Sequence, residues 1–476
     1  MSSSPETPQS LYAAHEPVFP RRVSGFFRNL KWGLMIFTLG IYYLTPWIRW
    51  DRGPNMPDQA VLVDLAHRRF FMFWIEIWPH EFYFVAGLLI MAGLGLFLFT
   101  SALGRVWCGY ACPQTVWTDL FILVERWIEG DRNARVRLHK SKWDMRKFRL
   151  RLSKWIVWMA IAVATGGAWV FYFADAPTLL VDILTGQAAF VAYGSIAVLT
   201  GTTFMFGGIA REQICIYMCP WPRIQAAMMD EDTITIGYRD WRGEPRGKHR
   251  KSEDADQLGD CIDCMACANV CPVGIDIRDG QQLECITCGL CIDACDDMMK
   301  KVGKPRGLID YMALTDETNE RAGKPKKPVW KHVIRPRTIV YTSLWSLVGV
   351  LLVVALFMQS EIDLNVSPIR NPVYVTMADG SIRNTYEIRI RNKQGEEHPF
   401  QISVTSEVDL KVSMQGTDST IVTVTADETG SHKVFITAAK GSVAASTSLT
   451  DIRIWVEDRF TGDRAYSDTV FNGKGQ

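Results

Sequence analysis

All twelve cysteines lie between residues 108 and 295, and eight of them fall in the single run CIDCMACANVCPVGIDIRDGQQLECITCGLCIDAC, residues 261–295. Cys261, Cys264, Cys267 and Cys271 are spaced C-x2-C-x2-C-x3-C, and Cys285, Cys288, Cys291 and Cys295 repeat that spacing 24 residues later. Three thiolates on one tight loop cap three corners of an iron–sulfur cube, and the fourth iron takes a sulfur from further away. In tandem runs that sulfur comes from the other run. The spacing therefore assigns Cys261, Cys264, Cys267 and Cys295 to one [4Fe–4S] cluster, and Cys285, Cys288, Cys291 and Cys271 to a second. C-x2-C pairs also bind zinc, but the exact tandem with Pro272 behind the first run favours iron and sulfide. Cys295 is followed by Asp296 instead of proline. Negative charge near the sulfurs lowers a cluster's potential, so two inequivalent clusters are expected.

The other four cysteines form a second repeat: an apolar run, an arginine, then C-x3-C-P. Cys108 and Cys112 precede Pro113, and Cys215 and Cys219 precede Pro220, the two motifs standing 107 residues apart. On a helix, positions i and i+4 share a face with Cβ atoms about 5–6 Å apart. A disulfide wants them at about 3.5–4.5 Å, so a bond inside one motif needs an unwound helix. Two such pairs facing one another offer up to four soft thiolates, which favour Cu(I), zinc or iron–sulfur. Arg105 and Arg211 are the cations available to lower the thiol pKa. The competing reading is plain packing, because free cysteine is commonly buried. Both prolines suit the first turn of a following helix.

Apolar residues gather in five runs long enough to cross a bilayer, with many of the 17 Trp and 14 Tyr near the run ends. The expected spans are about 32–48, 82–103, 155–174, 189–210 and 338–358. Residues 1–31 form a basic tail ahead of a retained span, and residues 49–81, rich in Phe and Trp, read as an interfacial segment. The stretch after Arg105 up to Lys154 is basic, as is 321–337, whereas 175–188 carries Asp175 and Asp182 and no Lys or Arg. The positive-inside rule then puts the N-terminus inside and the C-terminus outside. Residues 114–128 have helical apolar spacing and are expected to lie on the membrane surface.

The expected domains are thus a cytoplasmic tail 1–31, four spans within 32–225 bearing both C-x3-C-P motifs, a cytoplasmic tandem [4Fe–4S] domain 226–337, a fifth span 338–358 and an outer domain 359–476. The fold class is a multi-domain membrane protein: a helical bundle, an α+β ferredoxin-like domain, and an all-β immunoglobulin-like sandwich of about seven strands. The sandwich reading rests on Thr/Val/Ile alternation in runs such as 386–390 and 452–456, separated by turn signals such as Asp379-Gly380. That domain holds no cysteine. A cysteine distribution confined to the inner side fits thiols kept reduced there. With a net charge of +1 the chain offers no whole-chain electrostatic case for nucleic acid, and no glycine fingerprint or P-loop announces a nucleotide.

Five spans, two C-x3-C-P motifs, a tandem [4Fe–4S] unit and a terminal β-sandwich together resemble the FixG/RdxA/CcoG family of cytochrome c oxidase accessory proteins. The likeness covers the chain from about residue 20 onward. The C-x3-C-P motif alone is shared with other membrane polyferredoxins. The resemblance implies a bacterial inner-membrane protein that passes electrons to Cu(II), giving Cu(I) for a cbb-type oxidase. It makes Cys108, Cys112, Cys215 and Cys219 the candidate copper and catalytic thiols, with copper bound transiently. Implied partners are the bilayer, copper ions, and oxidase subunits or copper transport and chaperone proteins; self-association is left open. Two other readings stand beside this metalloreductase: a quinol-linked conduit to a respiratory partner, and an assembly scaffold whose clusters are structural.

Overall fold

The computed structural model describes residues 17–53, 56–247, 258–358, 362–393, 396–416, 419–426 and 428–475. The chain divides into two compact units, one holding most of residues 17–350 and one holding chiefly 351–475.

In the first unit, helix α1 (Phe26–Leu44) is followed by α2 (Tyr83–Leu103), the short α3 (Val106–Tyr110), α4 (Pro113–Glu129) and α5 (Arg132–Lys140). Next come α6 (Met145–Val170), α7 (Ala176–Thr185), α8 (Phe190–Thr203), which runs on as a π-helical segment Phe204–Ala210, and α9 (Trp221–Met228). Among the described residues four helices are long and apolar enough to cross a bilayer: Tyr83–Leu103, Met145–Val170, Phe190–Ala210 and Pro336–Phe357. The first expected span, 32–48, lies instead in a helix of 19 residues that begins six residues earlier and carries Arg28 and Lys31. Both cations are buried and share the Asp119 carboxylate, at 3.2 and 3.1 Å. The helix nevertheless runs beside α6 as far as its end, where the Tyr42 hydroxyl donates to the Thr165 carbonyl.

Three other boundaries differ from expectation for identifiable reasons. Helix α6 starts at Met145, not near 155, because Asp144 accepts from the Lys147 N–H and caps it ahead of the basic turn. The loop 175–188 contains α7, capped by Asp175. Residues 49–81 hold three short strands, Val61–Asp64, Arg69–Met72 and Ile75–Ile77, in place of a plain interfacial segment.

Helices α4, α6 and the π-helical segment pack closely. Phe121 and Trp158 stack at 5.2 Å with their rings 13° apart. A Cβ on Gly208 would stand 2.9 Å from the Trp158 ring, so only glycine lets the segment approach. Beneath this stack lies a buried ion network: Glu125 meets Arg135 at 2.8 Å, Lys154 at 3.2 Å and also Arg211, and Lys154 meets Glu129 at 2.9 Å.

The second unit is a two-sheet sandwich. One sheet orders Leu410–Met414, Thr429–Ala438, Ile382–Asn392 and Ile362–Pro368, with the two-residue strand Val375–Thr376 also on Ile382–Asn392. The other orders Ile421–Val424, His398–Thr405, Leu449–Asp458 and Arg464–Asn472. That makes nine described strands against about seven expected. Alternation does the work: Tyr386, Ile388 and Ile390 point inward with no exposed surface, as do Val434, Ile436, Ile454 and Val456. Each such side chain contributes about 1.5–3 kcal/mol of burial.

Candidate iron–sulfur and thiol site

The two cysteine runs keep their repeat in the backbone. Asp263 and Met265 have φ of 52° and 56°, and Thr287 and Gly289, each 24 residues later, have φ of 55° and 73°. These left-handed residues sit between the cysteines and turn the loop so that successive thiols face inward. Each loop then enters a helix, Ala266–Val270 in the first run and Leu290–Val302 in the second. Arg278 ties the first loop down, with Asp276 at 2.6 Å and Asp263 at 2.7 Å.

Cys261, Cys264, Cys267 and Cys295 line one small cavity together with Tyr238, Met299 and Leu308. The fourth cysteine thus arrives from the other run, as the spacing requires. Cys264 is exposed, and Cys261, Cys267 and Cys295 are buried. Burial pushes the Cys295 thiol up to about 12, with Cys267, Cys264, Asp296 and Cys261 adding to it in turn. The Asp296 carboxylate also accepts from the Gly307 N–H at 2.9 Å. In the second set, burial raises Cys285 to about 12, and Cys288 and Cys271 reinforce it. Cys271 is raised to about 11 by burial and by Cys288, against N–H groups of Val273, Ile275 and Gly274 that point at its sulfur. Neutral thiols are favoured in such a setting until iron supplies the compensating charge. Both sets fit a [4Fe–4S] cluster in ligand chemistry, number and apolar enclosure.

The second repeat departs from its expected geometry. Cys108 lies in α3, but Cys112 follows that helix in an extended conformation, with ψ 128°, immediately before Pro113 at the first position of α4. Cys215 lies in a π-helical turn, Ile214–Met218, and Cys219 is likewise extended, with ψ 125°. Neither pair shares one helical face, because each proline forces its preceding cysteine out of the helix. The four thiols influence one another electrostatically: burial raises Cys215 to about 12, and Cys112, Cys108 and Cys219 all add to the shift. Burial also raises Cys108, and Arg105 pulls it back. Among the described residues no three His, Cys, Asp or Glu side chains are close enough together to hold a single metal ion.

Four contributors were invisible to spacing. The Cys108 thiol donates to Gln225 Oε1 at 3.1 Å, and Gln225 is buried on α9. The Tyr110 hydroxyl donates to the Cys288 carbonyl at 2.9 Å, and the Tyr311 hydroxyl to the Thr287 carbonyl at 2.7 Å. Gly109 lies directly on the second cysteine loop: a Cβ there would stand 2.6 Å from the Ile286 carbonyl oxygen. Arg105 donates to the Leu283 carbonyl of the same loop. The first C-x3-C-P motif is therefore fastened to the Cys285–Cys291 loop through Gly109 and Tyr110. Tandem cluster loops joined to apolar helices define a membrane iron–sulfur electron-transfer protein.

Comparison with known proteins agrees. Residues 210–314 match the family described as "4Fe-4S dicluster domain", residues 84–132 "4Fe-4S binding domain", and residues 352–474 "IG-like fold at C-terminal of FixG". Protein RdxB of Cereibacter sphaeroides is 69% identical over 475 residues, covering 99% of this chain and 100% of its own. Protein RdxA of the same organism is 63% identical, covering 94% and 95%. Nitrogen fixation protein FixG of Rhizobium meliloti is 50% identical, covering 98% and 94%. The chain belongs to the FixG/RdxA family.

Proposed function

We propose that the chain is a cupric reductase of the bacterial inner membrane, taking Cu(II) to Cu(I) in copper delivery and assembly of a cbb-type cytochrome c oxidase. The observation that carries this reading is the seating of Cys108, Gly109 and Tyr110 against the loop of Cys285, Cys288 and Cys291. It brings soft thiols to within a few bonds of a cluster-binding loop. Clusters held by the eight cysteines would supply single electrons. The chain's own residues do the rest. Gln225 and Arg105 orient and polarise Cys108, and the four thiols of Cys108, Cys112, Cys215 and Cys219 receive Cu(II) as substrate. Thiolate sulfur favours Cu(I), so the copper that gains one electron is the form the site prefers.

In this reading the N-terminus and ferredoxin domain face the cytoplasm and the sandwich faces the periplasm, following the basic flanks at 105–154 and 321–337. Oxidase subunits or copper transport and chaperone proteins are the partners. The test adds Cu(II) anaerobically to dithionite-reduced, purified protein and follows cluster bleaching beside a Cu(I) chelator. The expected result is one Cu(I) per electron lost; clusters that stay reduced while copper stays Cu(II) would end the proposal.

A quinol-linked conduit is the second reading. It is favoured by an apolar cavity of about 260 Å³ lined by Leu30, Leu103, Tyr110, Tyr311 and His332, whose tyrosines touch the Cys288 loop. Reduction of the clusters by a quinol, without dithionite, would select it.

A further inference from the structure

Between the start of α1 and the end of α4 lies a cavity of about 560 Å³ whose lining includes Arg22, Arg28 and Arg126 and no carboxylate. Its remaining wall is amphipathic: Trp32, Leu123 and Trp127, the last 84% exposed. The positive charge is in excess. Asp119 is the one carboxylate paired with both Arg28 and Lys31, so two cations share one anion. Arg126 spends one nitrogen on the carbonyls of Pro20 and Arg21, and its buried Nε has no hydrogen-bond partner among the described residues. Burial first, and then Arg28 and Arg135, pull its guanidinium down to about 10, against the opposing pull of Asp119 and Asp131.

The depth of the cavity is set by two ladders. On α1, Arg28 and Lys31 directly precede the apolar stretch that opens at Trp32. On α6, Lys154 meets Glu125 and Glu129 of α4 and directly precedes the apolar stretch from Trp155. Both place α4 and the cavity where apolar helix gives way to charge, which is the headgroup level of a bilayer. Arginines recognise phosphate through their paired N–H groups, and exposed Trp127 and Leu123 offer a surface for hydrocarbon beside them.

We propose that this cavity is a binding site for the phosphate headgroup of an anionic phospholipid, held by Arg22, Arg28 and Arg126, with an acyl chain lying along Leu123 and Trp127. The site does not depend on the copper reading. It anchors α1 to α4 at the membrane surface, where the shared Asp119 leaves a positive charge unanswered.

The test is native mass spectrometry of the full chain, stripped of lipid in detergent and then offered phosphatidylglycerol or phosphatidylcholine. Phosphatidylglycerol should be retained preferentially. Arg22→Glu should lower its retention roughly tenfold or more, since it removes one attractive charge and adds a repulsive one. Arg22 is exposed, so cluster absorbance should be unchanged by that variant. Trp127→Ala should weaken retention of both lipids and keep the preference. Equal retention of the two lipids, or a preference untouched by Arg22→Glu, would overturn the proposal. So would thermal stabilisation by inorganic phosphate equal to that by phosphatidylglycerol, because the ligand would then be a soluble anion.

Discussion

Gly109 touches Cys288: a Cβ on Gly109 would stand 3.1 Å from the Cys288 Cα and 3.2 Å from its nitrogen. The contact joins a membrane-side thiol motif to a cluster loop through backbone alone, with no side chain to yield. Replacement by alanine must displace one chain or the other. Gly109→Ala should therefore disturb the Cys285/Cys288/Cys291/Cys271 set and leave the Cys261/Cys264/Cys267/Cys295 set intact. Iron and acid-labile sulfide should fall from about eight of each toward about four. One of the two reduced EPR signals should survive, freed of its coupling to the other. Loss of both signals together would mean that the contact supports the whole domain.

The crossing of Cys295 into the first cavity has a separate consequence. Cys295→Ala should remove the cluster of Cys261, Cys264 and Cys267, although 28 residues separate Cys267 from Cys295. Cys271→Ala should remove the other. Iron analysis of the two variants beside EPR distinguishes crossing from local ligation, in which each replacement would damage its own run.

Much of this site was legible because cluster ligation is a local constraint: Cys261–Cys267 and Cys285–Cys291 must be close in sequence to cap one cube. Pro113 likewise opens α4, as expected. Gly109, Gln225, Tyr110 and Tyr311 were not legible, because their contacts join residues more than 100 apart or depend on the seating of whole helices. At the first span, hydropathy sees Arg28 and Lys31 only as flanking charges. It cannot see that Asp119, on another helix, lets the same helix carry them buried. The sandwich was under-counted at Val375–Thr376, which is too short to show alternation. The thiol motifs were placed on helical faces because periodicity does not report where a proline unwinds the preceding residue.

Glu125 is the hub of the buried charge network, facing Arg135, Lys154 and Arg211 with only 2% of its side chain exposed. Those three cations hold its carboxyl below the usual range even though burial, the largest single influence, opposes them. Glu125→Gln leaves them short of an anion. The expected cost is about 3–5 kcal/mol, the usual penalty for breaking a buried pair from one side, read as a lowered unfolding temperature in detergent. Adding Arg135→Met should recover part of the loss, because one stranded charge is then gone. If the double variant is as unstable as the sum of the single ones, the network is not coupled through Glu125.

Copper binding discriminates most sharply among the readings of the four thiols. Cys108, Cys112, Cys215 and Cys219 influence one another electrostatically, yet no three come close enough to clasp one ion. A Cu(I) ion can be shared between one thiol of each motif if the extended residues Cys112 and Cys219 swing on their prolines. On that basis Cys108→Ala with Cys112→Ala should abolish stoichiometric copper binding and leave both cluster signals in place. Cys215→Ala with Cys219→Ala should do the same, and the quadruple variant should be little worse than either pair. Anaerobic titration with a Cu(I) chelator measures the stoichiometry directly. Half the copper lost in each double variant would mean two independent sites. Full copper binding in all three variants would return the cysteines to packing and shift the balance to the quinol-linked conduit.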